Sequence, residues 1–134
     1  MSGEGAYAPI SPQLDRLASV IVDSGMKVHK TLGPGLLESI YEQCLAHELN
    51  ERGCSVRRQV PVPIVYGTLK LDAAYRIDMI VGEAIIVEVK AVDALTAVHQ
   101  AQLLTYLKLS ERRLGFLMNF NVALFKQGLK RIAR

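Results

Sequence analysis

Residues 76–90 read Arg-Ile-Asp-Met-Ile-Val-Gly-Glu-Ala-Ile-Ile-Val-Glu-Val-Lys, two β-branched apolar runs parted by Gly82-Glu83, and no other stretch restricts the fold as much. The pattern predicts strands over residues 75–81 and 84–90 joined as a hairpin. Such strands belong in a core, yet Asp78, Glu88 and Lys90 are ionic. A carboxylate or ammonium on a largely buried strand costs several kcal/mol unless it is paired or ligated. The three groups must therefore answer one another, hold an ion, or face solvent.

Register decides which. Side chains alternate along a strand, so Glu88 and Lys90 share one face while Ile85, Val87 and Val89 take the other. A three-residue loop centred on Glu83 sets Asp78 directly across from Glu88, with both carboxylates on one face. A strict two-residue Gly82-Glu83 loop pairs Asp78 with Val87 and, without a bulge, turns Glu88 away. In the first register the adjacent carboxylates make a hard-oxygen site suited to Mg²⁺ or Mn²⁺, which keep several waters and leave positions for a phosphate oxygen. Lys90 beside them could hold a water nucleophile or offset charge on a pentavalent phosphorus. A solvent-facing hairpin side, with a surface ion pair worth ~0–1 kcal/mol, accommodates the same residues. These three residues alone do not choose between the two.

Asp78, a spacer, then Glu88-x-Lys90 resembles the signature of the PD-(D/E)xK nuclease superfamily. Gly35-Leu36-Leu37-Glu38-Ser39-Ile40-Tyr41 resembles the GxxExxY signature of one bacterial, RecB-like family within it. The resemblance runs from about residue 22 to residue 132 and takes in Gly33-Pro34-Gly35, Arg76-x-Asp78, Gln102-x-x-x-Tyr106, and Gly115 with Asn119-Phe120. It implies an α/β fold: an αβββαβ restriction-endonuclease-like core, a mixed sheet flanked by helices, here with one extra N-terminal helix. It also implies Mg²⁺-dependent cleavage of DNA. Asp78, Glu88 and the Val89 carbonyl would hold the metal, with Glu38 completing or orienting the site. Lys90 would position the water, and Gln102 and Tyr106 would line the active site. His29 loosely fits the place where RecB-type members carry a histidine ahead of the motif glutamate, and so is a candidate contact.

With 134 residues the chain suffices for one core, and residues 12–134 read as a single domain behind a flexible lead over residues 1–11. The net charge of +3 permits polyanion binding without requiring it. Arg57-Arg58, Arg112-Arg113 and the basic end with Lys126, Lys130 and Arg131 could track a phosphate backbone, although such runs also serve as solvated faces. There is no Trp, which argues against a single-strand stacking platform. No apolar run approaches the ~18 residues of a membrane span, and the N-terminus lacks a signal-peptide layout, so the expectation is a cytoplasmic protein without membrane contact. Cys44 and Cys54 are too few for a disulfide framework, and Cys44, His47 and Cys54 lack a fourth zinc ligand.

The remaining elements follow from periodicity and breakers. Ser11-Pro12 opens a helix to about residue 31, with Leu14, Leu17, Ala18, Ile21, Gly25, Val28 and Leu32 on its apolar stripe. Gly33-Pro34-Gly35 ends it, and a second helix over residues 36–52 is expected to bury Leu37, Ile40, Tyr41, Cys44, Leu45 and Leu49. Glu38 in its first turn either favours the helix dipole by ~0.3–1 kcal/mol or reaches the carboxylate site, with the Tyr41 hydroxyl to orient it. Pro61 and Pro63 assign the strand over residues 56–66 to an edge, and residues 69–72 form a short strand or a lead-in. A helix over residues 94–109 turns Leu95, Val98, Gln102, Leu103, Tyr106 and Leu107 inward, with His99 on the same face. Residues 114–120 read as a central strand reached by a parallel crossover, and the end turns at Gly128. The reading is a Mg²⁺- or Mn²⁺-dependent deoxyribonuclease; the rivals are a ribonuclease and a non-catalytic nucleic-acid-binding or protein-interaction module on the same fold. Sequence-specific restriction by this chain alone is not expected, so targeting is expected to come from a homo-oligomer or a partner protein.

Overall fold

A computed structural model describes residues 9–134, so the expected lead lies outside the described residues up to position 8. Helix α1 (Pro12–Leu32) starts where Ser11 accepts the Leu14 N–H and Pro12 supplies a preset first turn. It ends at Gly33, whose φ of 68° and N–H bond to the His29 carbonyl close the last turn. After the Gly-Pro-Gly break comes α2 (Glu38–Glu51), which buries Tyr41, Leu45, Ala46 and Leu49. Leu37 and Ile40, expected inside, are exposed, Leu37 by 73 %. Leu37 is the cap residue outside the helix, so the helical stripe does not reach it.

Five strands follow in chain order across one sheet: β1 (Val56–Tyr66), β2 (Leu69–Val81), β3 (Ile85–Lys90), β4 (Leu114–Asn119) and β5 (Leu129–Ala133). Neighbours run antiparallel except β3 and β4, which are parallel and linked over the sheet by α3 (Ala97–Leu109). Residues 69–72, left open between short strand and lead-in, are the start of β2. The basic end forms a single 3₁₀ turn, Phe125–Gln127, and then β5. The result is the mixed sheet flanked by helices that the sequence implies.

The sheet divides two apolar layers. Met79, Val81, Ile85, Val87, Val89, Phe116 and Met118 pack against α1 and α2, while Ile77, Ile80, Ile86 and Leu117 pack against Leu103, Tyr106 and Leu107 of α3. Both faces of β3 and β4 are therefore covered, as continuous apolar strands require. Helix α1 comes close because position 25 is glycine: a Cβ there would meet Phe125 and Met118 at 2.7 and 2.8 Å. Val98, expected inward on α3, is 75 % exposed; α3 begins only at Ala97, so Val98 lies in its first turn. Strand β2 pairs with β3 only through Met79, Ile80 and Val81, whereas it pairs with β1 out to Leu69. The outer parts of β1 and β2 thus run past the sheet as a two-stranded ribbon. No helix among the described residues is long and apolar enough to cross a membrane.

Candidate active site

The β2–β3 turn closes when the Ala84 N–H bonds the Val81 carbonyl over Gly82 and Glu83, both at positive φ. Ala84 is then one residue more than a strict two-residue turn needs, and the ladder runs Val81 with Ile85, Ile80 with Ile86 and Met79 with Val87. This is the register of a three-residue loop, and its next step sets Asp78 across from Glu88. There the regular ladder gives way to an exchange between side chain and main chain. The Asp78 N–H donates to Glu88 Oε2 at 2.7 Å, and the Val89 N–H donates to Asp78 Oδ2 at 2.9 Å.

Electrostatics at this pair are unfavourable without a counter-charge. Glu88 is 3 % exposed, and burial, then the charge of Asp78, pushes its carboxyl up to about 8. Asp78 is also raised, by burial first and then by Glu42 and Glu38, against the lowering effect of the Val89 N–H and the Lys90 ammonium. The pair thus keeps a proton near neutral pH. Lys90 is half-buried, and its charge lowers both carboxyls. Tyr106, buried under the same face, is pushed up to about 12 by burial and then by Glu88 and Asp78, so its phenol stays protonated.

Among the described residues no group of three or more His, Cys, Asp or Glu side chains is assembled to hold a metal, and Cys44, His47 and Cys54 form no such group. The donor set at Asp78 and Glu88 nevertheless fits a hard divalent ion: two adjoining carboxylates, a main-chain strand edge, and a proton that a cation would displace. Mg²⁺ is commonly held by one or two carboxylates with water filling its remaining positions.

The other candidates fall into two groups. Glu38 is the first residue of α2 and accepts the Ala91 N–H at 3.1 Å, just beyond Lys90, near enough for its charge to act on Asp78. Val89 enters through its main chain, its side chain being buried in the α1/α2 layer. Gln102 and Tyr106 lie with Ile64, Tyr75, Val98 and Leu109 around a cavity of about 260 Å³. The remaining assignments need correction. Tyr41 does not touch Glu38: its hydroxyl donates to the Gly33 carbonyl at 2.6 Å, accepts the Leu36 N–H, and its ring stacks on Phe120. His29 is 7 % exposed, and its Nε2 bonds the Val122 carbonyl, tying α1 to the segment after β4. His99 caps α3 reciprocally with Thr96.

The basic clusters are largely engaged within the chain. Arg57 grips Glu83 with two bonds, Arg112 reaches the same carboxylate, Arg58 pairs with Glu42, and Arg131 pairs with Asp15. Lys126 and Lys130 are exposed on the 3₁₀ turn and β5.

Two residues that sequence reasoning passed over stand beside the pair. Glu42, one helical turn after Glu38, is 6 % exposed and takes Arg58 Nε at 2.9 Å. Gln59 on β1 donates to Glu42 at 3.0 Å and reaches Asp78 Oδ1 at 3.5 Å. Asn119 at the end of β4 also braces this end of the sheet, bonding both the N–H and the carbonyl of Val92. The signal for Glu42 was its place four residues after Glu38 between Tyr41 and Leu45, an acid on a stripe that buries apolar side chains.

No curated protein and no solved structure matches the chain. A family model of the PD-(D/E)XK nuclease superfamily matches residues 15–132. Nucleases of that superfamily generally use divalent metals, which is what the donor chemistry at Asp78 and Glu88 suits. Since the match spans α1 through β5, it takes in the whole sheet rather than one short motif, and the chain belongs to the PD-(D/E)XK nuclease superfamily.

Proposed function

We propose that this protein is a Mg²⁺-dependent nuclease, Mn²⁺ serving in its place, that hydrolyses phosphodiester bonds in DNA. Within the superfamily we place it in the GxxExxY, RecB-like branch, on the Gly35, Glu38 and Tyr41 spacing. The observation that carries the reading is the Asp78–Glu88 exchange: a buried and a half-buried carboxylate held together by each other's strands, at the cost of a retained proton, with Lys90 alongside.

The cation, when bound, supplies Lewis acidity toward a phosphate oxygen and lowers the pKa of a bound water. Asp78 and Glu88, with the Val89 carbonyl, are the residues to hold it. Lys90 directs its ammonium to the attacking water and offsets the charge that gathers on phosphorus. Glu38, bonded to the Ala91 N–H, keeps the end of β3 in place and adds negative potential. Tyr106 remains a neutral donor for a phosphate oxygen, and Gln102, one helical turn earlier, lines the same cavity. Lys126 and Lys130 supply phosphate contacts at the surface; with Arg57, Arg58 and Arg131 held in ion pairs, affinity for the backbone is modest and salt-sensitive. We place the domain over residues 12–134, acting in the cytoplasm, where Cys44 and Cys54 stay thiols. Targeting comes from a homo-oligomer or a partner protein.

The test is cleavage by purified protein of plasmid, linear duplex and single-stranded DNA, and of RNA, in Mg²⁺, in Mn²⁺ and in a chelator, with Asp78→Asn as control. Divalent-dependent DNA cleavage lost in the variant is the expected result. Cleavage confined to RNA makes it a ribonuclease, and binding without cleavage of any substrate makes it a non-catalytic module.

A further inference from the structure

We propose that Gln59 is a positioning residue for Asp78, clamped by the Glu42–Arg58 ion pair, and that it sets the divalent-cation affinity of the site; the inference rests on the metal-dependent reading above.

The backbone carries the first part of the argument. Gln59 lies within β1 at φ 52°, a left-handed conformation that a non-glycine side chain disfavours and that strand pairing does not call for. The β1–β2 ladder pairs Arg58 with Met79 and Val60 with Ile77, and between these pairs Gln59 faces Asp78. Side-chain alternation changes phase at that point. On β1, Val56 packs in the α1/α2 layer, whereas Val60 and Val62, an even number of residues further on, pack against α3. On β2, Met79 and Val81 belong to the α1/α2 layer, while Ile77, two residues earlier, packs against α3. Both strands switch faces across the Gln59–Asp78 step, and the switch brings the carboxamide to the carboxylate.

Hydrogen bonding carries the second part. The Gln59 Nε2 bonds both Glu42 oxygens, at 3.0 and 3.2 Å, and reaches Asp78 Oδ1 at 3.5 Å. Asp78 Oδ2 is already held by the Val89 N–H, so the Gln59 amide acts on the other oxygen and with it fixes the plane of the carboxylate. Glu42 determines which end of the carboxamide does this, since a carboxylate accepts and only the NH₂ end can face it. Arg58 Nε in turn holds Glu42 at 2.9 Å. Arg58 by itself gives buried Glu42 a charged partner, so Glu42 does not require a strained residue on β1. The strain is accounted for by what the amide does to Asp78.

The test is Gln59→Gly, because glycine adopts the positive φ freely, so the variant removes the side chain with its amide without adding backbone strain. Mn²⁺ binding to wild type and variant is followed by electron paramagnetic resonance, with melting of both in a chelator and cleavage of plasmid DNA alongside. The expected result is Mn²⁺ affinity weakened about tenfold, the low end for loss of a partner that orients a metal ligand, with a melting temperature equal to wild type or higher. Equal Mn²⁺ affinity in the two proteins overturns the inference, and so does a weaker affinity accompanied by a lower melting temperature, which marks Gln59 as a structural tie. Wild type that cleaves DNA while the variant binds Mn²⁺ equally well leaves the nuclease reading standing without this one. Wild type that binds Mn²⁺ and cleaves nothing removes the nuclease reading, and the binding comparison still decides the role of Gln59. Wild type that binds no Mn²⁺ overturns both.

Discussion

Asp78 and Glu88 are each held by the strand that carries the other: the Asp78 N–H bonds Glu88 Oε2 at 2.7 Å, and the N–H that follows Glu88 bonds Asp78 Oδ2 at 2.9 Å. The arrangement uses two strand donors to keep like charges adjacent, where a regular ladder would have paired those donors with carbonyls. It keeps the donor geometry of a cation site in place whether or not the charge is neutralised.

Stability without metal should fall as pH rises. The Glu88 carboxyl goes from 4.5 to about 8 on folding, so between those values the folded chain binds more protons than the unfolded one. The stabilising contribution is complete below pH 4.5 and is lost as pH passes through about 8. Melting in a chelator across this window should show the decline after the ordinary acid-induced losses are subtracted using Glu88→Gln. Added Mg²⁺ should reverse it, with the largest gain at the alkaline end, and calorimetry at pH 7 should detect release of about one proton per cation bound.

Glu88→Gln should abolish cleavage while raising the metal-free melting temperature at pH 8 by roughly 2–8 °C, the shift that about 1 kcal/mol produces in domains of this general size. The amide oxygen can still accept the Asp78 N–H, and the like-charge repulsion is gone. A lower melting temperature at pH 8 would show that the carboxylate is a net structural asset.

Lys90→Ala should lose cleavage by roughly 10²-fold or more, the scale of a lost donor that stabilises developing charge. Its fold should persist, since Lys90 makes no ion pair within 4 Å among the described residues, and Mn²⁺ should still bind. Single-turnover cleavage and circular dichroism check the two parts separately.

Tyr41→Phe removes one hydroxyl that bridges the Gly33 carbonyl and the Leu36 N–H while leaving the ring on Phe120. Unfolding in urea should show a loss of roughly 1–3 kcal/mol, the range for a buried group left without its partner. Cleavage should fall as well, because that loop leads directly into Glu38.

Gly128→Ala should fail to accumulate as folded protein or should melt far below wild type, because a Cβ there would run into the Asn119 carbonyl. Asn119 braces Val92, so the segment after Lys90 should loosen first, which amide hydrogen exchange at residues 91–93 would report.

The Asp78–Glu88 register is half legible in the sequence: alternation across a short loop narrows it to two solutions, and the ladder of Val81 with Ile85 and Met79 with Val87 picks the one that pairs the two acids. The α1 stripe and its Ser11-Pro12 start are legible for a similar reason, since periodicity and cap chemistry agree. Exposure at Leu37 and Val98 is not legible, because both lie at helix entrances where the period continues but no neighbouring layer does. The fate of the arginines is hidden for another reason. Arg57 and Glu83 are far apart in sequence, and so are Arg58 and Glu42; nothing local indicates that each guanidinium finishes beside a carboxylate. Gln59 escapes notice because its significance depends on a left-handed conformation within a strand, a feature that strand propensity predicts against.

The one parallel pairing in the sheet also orders events during folding. Strands β1 to β3 meet through turns of a few residues, whereas β4 can join β3 only after α3 has crossed over. The β2–β3 hairpin is therefore free to form ahead of the rest, and its two acids are brought together while the chain is still largely hydrated. Glu42, carried on α2, and Tyr106, carried on α3, close around them afterwards. Neutralising Glu88 should for that reason act on the refolding rate as well as on the final stability, and refolding in a chelator should be faster at pH 6 than at pH 9.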